Sequence, residues 1–283
     1  MRIIEFVSEM QQLADEWRRQ GKRIGFVPTM GFLHEGHLAL MGEAKRRADV
    51  VAVSVFVNPT QFGPNEDFEC YPRDMERDIR LCTEVGVDAI FAPPVSEMYP
   101  DGYQTSVEVS KVTTPLCGRT RPGHFRGVTT VVAKLFHCVK PHIAIFGQKD
   151  YQQWVAVRRM VRDLNMDIEI VSYPTVRESD GLALSSRNTY LSPAEREIAL
   201  RLSRSLRAAQ ELVDRGEIYG EAVLMKVREV LESGGGLRID YVQLCHPDTL
   251  DDVLTVDGCA VLLMAAFIGK TRLIDNCVLR SGN

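Results

Sequence analysis

The sequence predicts an α/β protein: a Rossmann-like, doubly wound parallel sheet followed by a second, smaller α+β domain. Three observations carry this. Short apolar runs alternate with amphipathic helical stretches through the first 176 residues. The runs are rich in β-branched residues, as strands buried on both faces are. Beyond about residue 190 two helical stretches come in succession and three strand-like runs follow, which is the order of an α+β domain with an antiparallel sheet.

The elements read as follows. KRIGFVPTM (22–30) is a short buried strand, and HLALMGEAKRRA (37–48) a helix with a basic last turn. DVVAVSVFVN (49–58) is a strand, and RDMERDIRLCTEVG (73–86) a helix closed by Gly86 as C-cap. VDAIFAPP is a strand, GVTTVVAKLFHCVKP (127–141) a helix ended by proline, and HIAIFGQKD a strand and turn. YQQWVAVRRMVRDLN (151–165) is a helix and IEIVSYPTV a strand. Strand and helix in alternation imply parallel strands with right-handed crossovers. Pro193 starts a long amphipathic helix (194–216), and a second (221–236) ends in three glycines. LRIDYVQLCH, GCAVLLMAAFIG and TRLIDNCVL complete the chain as strands. The domains are drawn at 1–176 and 177–283, with a hinge expected in 177–190. Loops 63–72 and 117–127 are expected to be mobile.

Composition bounds the class. Of 283 residues, 45% are hydrophobic and 25% charged, a balance usual for a soluble enzyme. A net charge of −4 lacks the basic footprint of a nucleic-acid protein. No run approaches the ~18 apolar residues of a membrane helix, and the N-terminus does not have the pattern of a signal peptide. A cytoplasmic location is expected, with no nucleic-acid or membrane partner. The seven cysteines contain no C-x-x-C pair and read as free thiols.

In an open parallel sheet, ligands bind beyond the carboxyl ends of the strands. Four strand exits collect the unusual polar residues: PTMGFLHEGH (28–37), NPTQFG (58–63), GQKD (147–150) and RESDGLALSSRN (177–188). The inventory suits a polyphosphate. Met30-Gly31 and Gly36-His37 let backbone approach a ligand, and the helix beginning near His37 offers N–H groups and a positive dipole end. Lys149, Ser185, Ser186 and Arg187 add charge, hydroxyls and a bidentate donor. His34 and His37 are open to three readings: a metal pair, a phosphate-contacting or catalytic pair, or two structural polar side chains. Zinc needs more ligands than this stretch supplies, so no metal is assigned to protein ligands.

These segments also carry a resemblance. MGFLHEGH resembles the H-x-G-H signature of the nucleotidyltransferase superfamily, and LSSR (184–187) resembles its second phosphate loop. FVNPTQF (56–62), LCGRTRPGHFRGV (116–128), FGQKDYQQ (146–153) and PTVRESDGLALSSRN (174–188) resemble the pantothenate synthetase, or pantoate–β-alanine ligase, family. The resemblance implies ATP-driven joining of pantoate and β-alanine through a pantoyl adenylate, with release of pyrophosphate and AMP. It implies that Met30, Gly31, His34 and His37 contact ATP, with His37 the proton donor, and that Lys149, Ser185, Ser186 and Arg187 hold the phosphates. It places Asp150 and the backbone at Gly147 and Val176 by the ribose and base, Gln61 and Gln153 at pantoate, and Asn58 on the β-alanine side. Mg²⁺ on the phosphates and a homodimer are implied as well. An adenylyl- or cytidylyltransferase would share H-x-G-H and the serine loop, but not the two glutamine-bearing loops.

Overall fold

Alternate residues of a strand point to opposite faces, and the apolar runs of this chain use both. The computed structural model describes residues 1–64 and 66–282; Asn65, within the loop expected to be mobile, lies outside the described residues. Two compact units form. The first comprises Met1–Thr113, Arg121–Gln148 and Gln153–Pro174, and the second Thr114–Thr120, Lys149–Gln152 and the chain from Thr175 onward.

The first unit is built on six parallel strands. These are β1 (Arg2–Ile4), β2 (Ile24–Thr29), β3 (Val50–Val55), β4 (Ala89–Phe91), β5 (Ile143–Gly147) and β6 (Glu169–Tyr173), in the order β1-β4-β3-β2-β5-β6. Phe26, Val50, Ala52, Ala144 and Phe146 enter one core with α1 (Val7–Arg19), α6 (His124–Val139) and α7 (Tyr151–Asp163). Val27, Val51, Val53, Ile143 and Ile145 enter the other, against α2 (Glu35–Arg47) and α3 (Met75–Val85). The sheet is therefore doubly wound, as expected. The chain moves from β2 outward to β3 and β4, then returns to β5 on β2's other side. That reversal between β2 and β5 is the switch point where such sheets bind ligands. The sequence reading assigns no element before Lys22; β1 pairs with β4 there, and α1 buries Met10, Leu13, Ala14 and Trp17. Gly86 closes α3 at φ 80°, as expected of a C-cap. Two four-residue helices, α4 (Val95–Met98) and α5 (Cys117–Thr120), lie in connections.

The second unit stacks α8 (Pro193–Asp214) and α9 (Gly220–Glu232) on an antiparallel sheet of β7 (Leu237–Cys245), β8 (Cys259–Ile268) and β9 (Thr271–Arg280). Ser192 and Glu195 form a capping box that starts α8, with Pro193 in its first turn. Leu262, Met264 and Ala266 of β8 meet Leu202, Leu206 and Val227 in one core. Across the sheet, the Tyr241 hydroxyl lies 3.3 Å from Cys117 Sγ, which tethers α5 to this unit. All seven cysteines are free thiols. Among the described residues, no helix is long and apolar enough to cross a membrane.

Candidate active site

The first loop leaves β2 at Thr29, whose hydroxyl donates to Ser54 O at 2.6 Å and accepts the Gly31 N–H at 3.1 Å. Two successive residues then take left-handed backbone, Gly31 at φ 82° and Phe32 at φ 50°. A Cβ at Gly31 would lie 2.8 Å from Val55 Cγ1 and 2.9 Å from Asp78 Oδ2. Glycine is thus required here by the protein's own packing, a reason apart from the ligand approach expected from sequence. The Asp78 carboxylate, 1% exposed, accepts the N–H of Phe32 (2.8 Å) at one oxygen and that of Leu33 (2.7 Å) at the other.

Helix α2 begins at Glu35, two residues earlier than the sequence suggests, because His34 caps it. His34 Nδ1 accepts the Gly36 N–H at 3.2 Å, and His37 Nδ1 accepts the His34 N–H at 3.3 Å. This is a capping box made by two histidines in place of the usual serine and glutamate. First-turn amides expected to face an anion are partly taken up by it. A neutral imidazole that accepts at Nδ1 carries its proton on Nε2. The cap therefore fixes both rings, 4.0 Å apart, in the tautomer whose Nε2–H can donate. Among the described residues, no group of three or more His, Cys, Asp or Glu side chains could hold a metal ion.

The second loop leaves β3 through Asn58. This side chain is 1% exposed and caps a 3₁₀ turn over Pro59–Gln61. Its oxygen accepts from Thr60 Oγ1 (3.0 Å) and the Tyr99 hydroxyl (2.8 Å); its nitrogen donates to Gln61 Oε1 (3.1 Å) and Gly127 O (3.2 Å). In this structure Asn58 reaches Gln61, Gly127 and the turn. Gln61 Nε2 continues to Met30 Sδ at 3.2 Å, which joins the first two loops. Arg121 grips Glu66 through two bonds of 2.6 Å. Burial pushes the Glu66 carboxyl up, but the Arg121 guanidinium outweighs it and holds it below the usual range. Gly147 ends β5, and Gln153 is half-buried near the start of α7.

Within the second unit, Lys149 and Asp150 lie on one 3₁₀ turn (Gln148–Asp150), and the Lys149 carbonyl accepts from Asn276 Nδ2 at 2.8 Å. Burial pushes the Lys149 ammonium below the ordinary lysine range; Asp150 opposes that and Arg187 adds to it. Residues 177–188 form a small folded hairpin, with Arg177 bridged to Ala183 and the Leu184 N–H on Val176 O. Arg177 forks onto the buried Asp275 at 2.7 and 2.9 Å. Ser185 accepts the Arg187 N–H and caps the turn that carries Ser186 and Arg187.

A family model described as pantoate-beta-alanine ligase matches residues 2–278. The chain belongs to this ligase family. It is 64% identical over 280 residues to the pantothenate synthetase of Syntrophobacter fumaroxidans, covering 99% of each chain. It is also similar to the crystal structure of pantothenate synthetase from Thermus thermophilus, at a TM-score of 0.93 and 48% identity over 98% of this chain and 99% of that one. The pantoate-beta-alanine ligase from Francisella tularensis, crystallised with beta-gamma ATP and beta-alanine, matches at a TM-score of 0.81 and 36% identity, covering 98% of this chain and 97% of that one.

For a pantoate–β-alanine ligase, three groups were hidden in the sequence. Asp78 looks like an ordinary helix surface residue; its signal was position, four residues before buried Cys82 on one stripe of α3. Asp275 and Asn276 sit in a run that reads only as a strand, yet they hold Arg177 and the Lys149 carbonyl. Gln152, next to Gln153, is the structural glutamine, bound to Cys117 N (3.1 Å) and Pro115 O (2.8 Å).

Two expected results arise here. Lys149 loses its charge as pH rises through its folded pKa, which lies below that of an ordinary lysine. The ATP kcat/KM should therefore fall on the alkaline side before an ordinary lysine titrates, and Lys149→Arg should move that fall upward. Superimposable pH profiles would remove Lys149 from phosphate binding. Gln61→Ala and Gln153→Ala should each weaken pantoate binding and leave ATP binding nearly unchanged in calorimetric titrations. Equal loss for both ligands would sink the assignment.

Proposed function

We propose that this enzyme condenses pantoate with β-alanine in two steps driven by ATP. Pantoate's carboxylate oxygen attacks the α-phosphorus, forming an oxygen–phosphorus bond as the bond from that phosphorus to pyrophosphate breaks. The free amine of β-alanine then attacks the acyl carbonyl; the amide forms, AMP leaves, and the nitrogen gives up its proton. A carboxylate alone is a poor electrophile because its leaving group would be an oxide, and adenylation supplies a better one.

The observation that carries this reading is the reciprocal histidine cap, which commits Nε2–H of His34 and His37 to donation. Charge grows on the phosphate oxygens in the first step, and fixed donors are worth most where charge develops. Met30 and Gly31 supply the backbone of the same loop. Lys149 and Arg187 contribute cations, Ser185 and Ser186 hydroxyls. Asp150 and the backbone at Gly147 and Val176 are assigned to the ribose and base. Gln61 and Gln153 offer pantoate both donors and acceptors. Asn58 is assigned to the β-alanine side, and its bond to Gln61 Oε1 keeps the two side chains together. The candidate residues include no carboxylate cluster for Mg²⁺, so the ion fits as one carried on the phosphates and water, where it would neutralise charge. A homodimer in the cytoplasm is part of the same proposal.

Radiolabelled pyrophosphate exchange tests the two-step order. Label should enter ATP with pantoate and Mg²⁺ present and β-alanine absent, and chelation of Mg²⁺ should stop it. Exchange that ignores pantoate would indicate a nucleotidyltransferase, and release of ADP an acyl phosphate.

A further inference from the structure

We infer that Asp78 is a positioning residue for the adenylation step, acting through the loop that carries His34 and His37; this rests on the function proposed above. Its carboxylate takes the N–H of Phe32 at one oxygen and of Leu33 at the other. These amides belong to the segment between the end of β2 and the His34 cap. Phe32 is held at φ 50°, where a side chain is strained and only surrounding structure keeps it.

Packing covers that segment on one side only, through the fully buried Leu33. A cleft of about 400 Å³ runs beside Met30, Gly31 and Phe32, with Phe68, Met75 and Val95 among its other walls. The bonds to Asp78 brace the loop on this side. Burial pushes the Asp78 carboxyl up, while the two amides and Arg77 favour its charged form. The carboxylate is matched to its task because it only accepts. An asparagine would offer one acceptor and turn an N–H₂ group toward the second amide.

Asp78→Asn is therefore expected to shift the histidines with the loop, and a displacement of about 1 Å can cost about 100-fold in rate. The test separates the half-reactions. Pantoate-dependent pyrophosphate exchange reports adenylation. Single-turnover amide formation from preformed pantoyl adenylate and β-alanine reports the second step, which needs no pyrophosphate contacts. The expected result is exchange down by about 100-fold and amide formation within a factor of about two of the original enzyme, with the circular dichroism spectrum unchanged. Equal loss in both half-reactions, or loss in neither, overturns the inference. Should Asp78→Asn not fold, Asp78→Glu keeps charge and acceptors but displaces them by one methylene, and the same comparison decides. Absence of pantoate-dependent exchange in the unaltered enzyme would instead refute the proposed function.

Discussion

His37→Ala is expected to lower pantoate-dependent pyrophosphate exchange by about 10²–10³-fold, the usual loss when one fixed donor is removed from developing charge. The fold should survive. His37 accepts one backbone N–H at the start of α2, and loss of a cap typically costs about 1 kcal/mol. His37→Gln preserves a side chain able to accept and donate and should recover part of the cap but little of the rate. Exchange kinetics beside thermal melting measure both. A stability loss above about 3 kcal/mol with little change in exchange would make the two histidines a structural pair, since losses of that size come from core or network defects.

Arg177→Ala should strongly destabilise the second unit. Its fork onto Asp275 buries one partner almost completely, with Asp275 2% exposed and Arg177 30%. Removing one partner of a buried pair costs about 3–5 kcal/mol because the other charge is left without compensation. Arg177's partial exposure puts the expected loss near the lower end, about 3 kcal/mol. Arg177 also donates to Gly181 O at 3.1 Å, so the hairpin bearing Ser185, Ser186 and Arg187 should loosen too. The ATP KM should rise along with the fall in melting temperature. Adding Asp275→Asn should restore part of the stability, since no carboxylate is then buried without a cation. Double-variant stability below that of Arg177→Ala would show that the Asn276 N–H, 2.8 Å from Asp275 Oδ1, outweighs the pair.

The sequence by itself determined the alternation of strands and helices, the two sheets, and the four loops at strand exits. Those features are local: a β-branched run between turns, a 3.6-residue stripe, Gly86 behind α3 and Pro193 at the start of α8 all act within a few residues. His34 and His37 were legible for the same reason, because a spacing of three at a helix start brings the rings together without help from elsewhere. β1 was not legible; three residues carry no period, and only pairing with β4, some 87 positions on, makes them a strand. Tertiary structure alone decided which polar residues support others. Asp78 lies 45 residues from the Leu33 amide it accepts, Asn58 lies 69 from Gly127 O, and Arg177 lies 98 from Asp275. A carboxylate on a helix pattern reads as solvated until the fold places two backbone amides against it. Even the histidines' tautomer waited on the folded helix, since the amides that fix it exist as donors in that geometry only once α2 has formed.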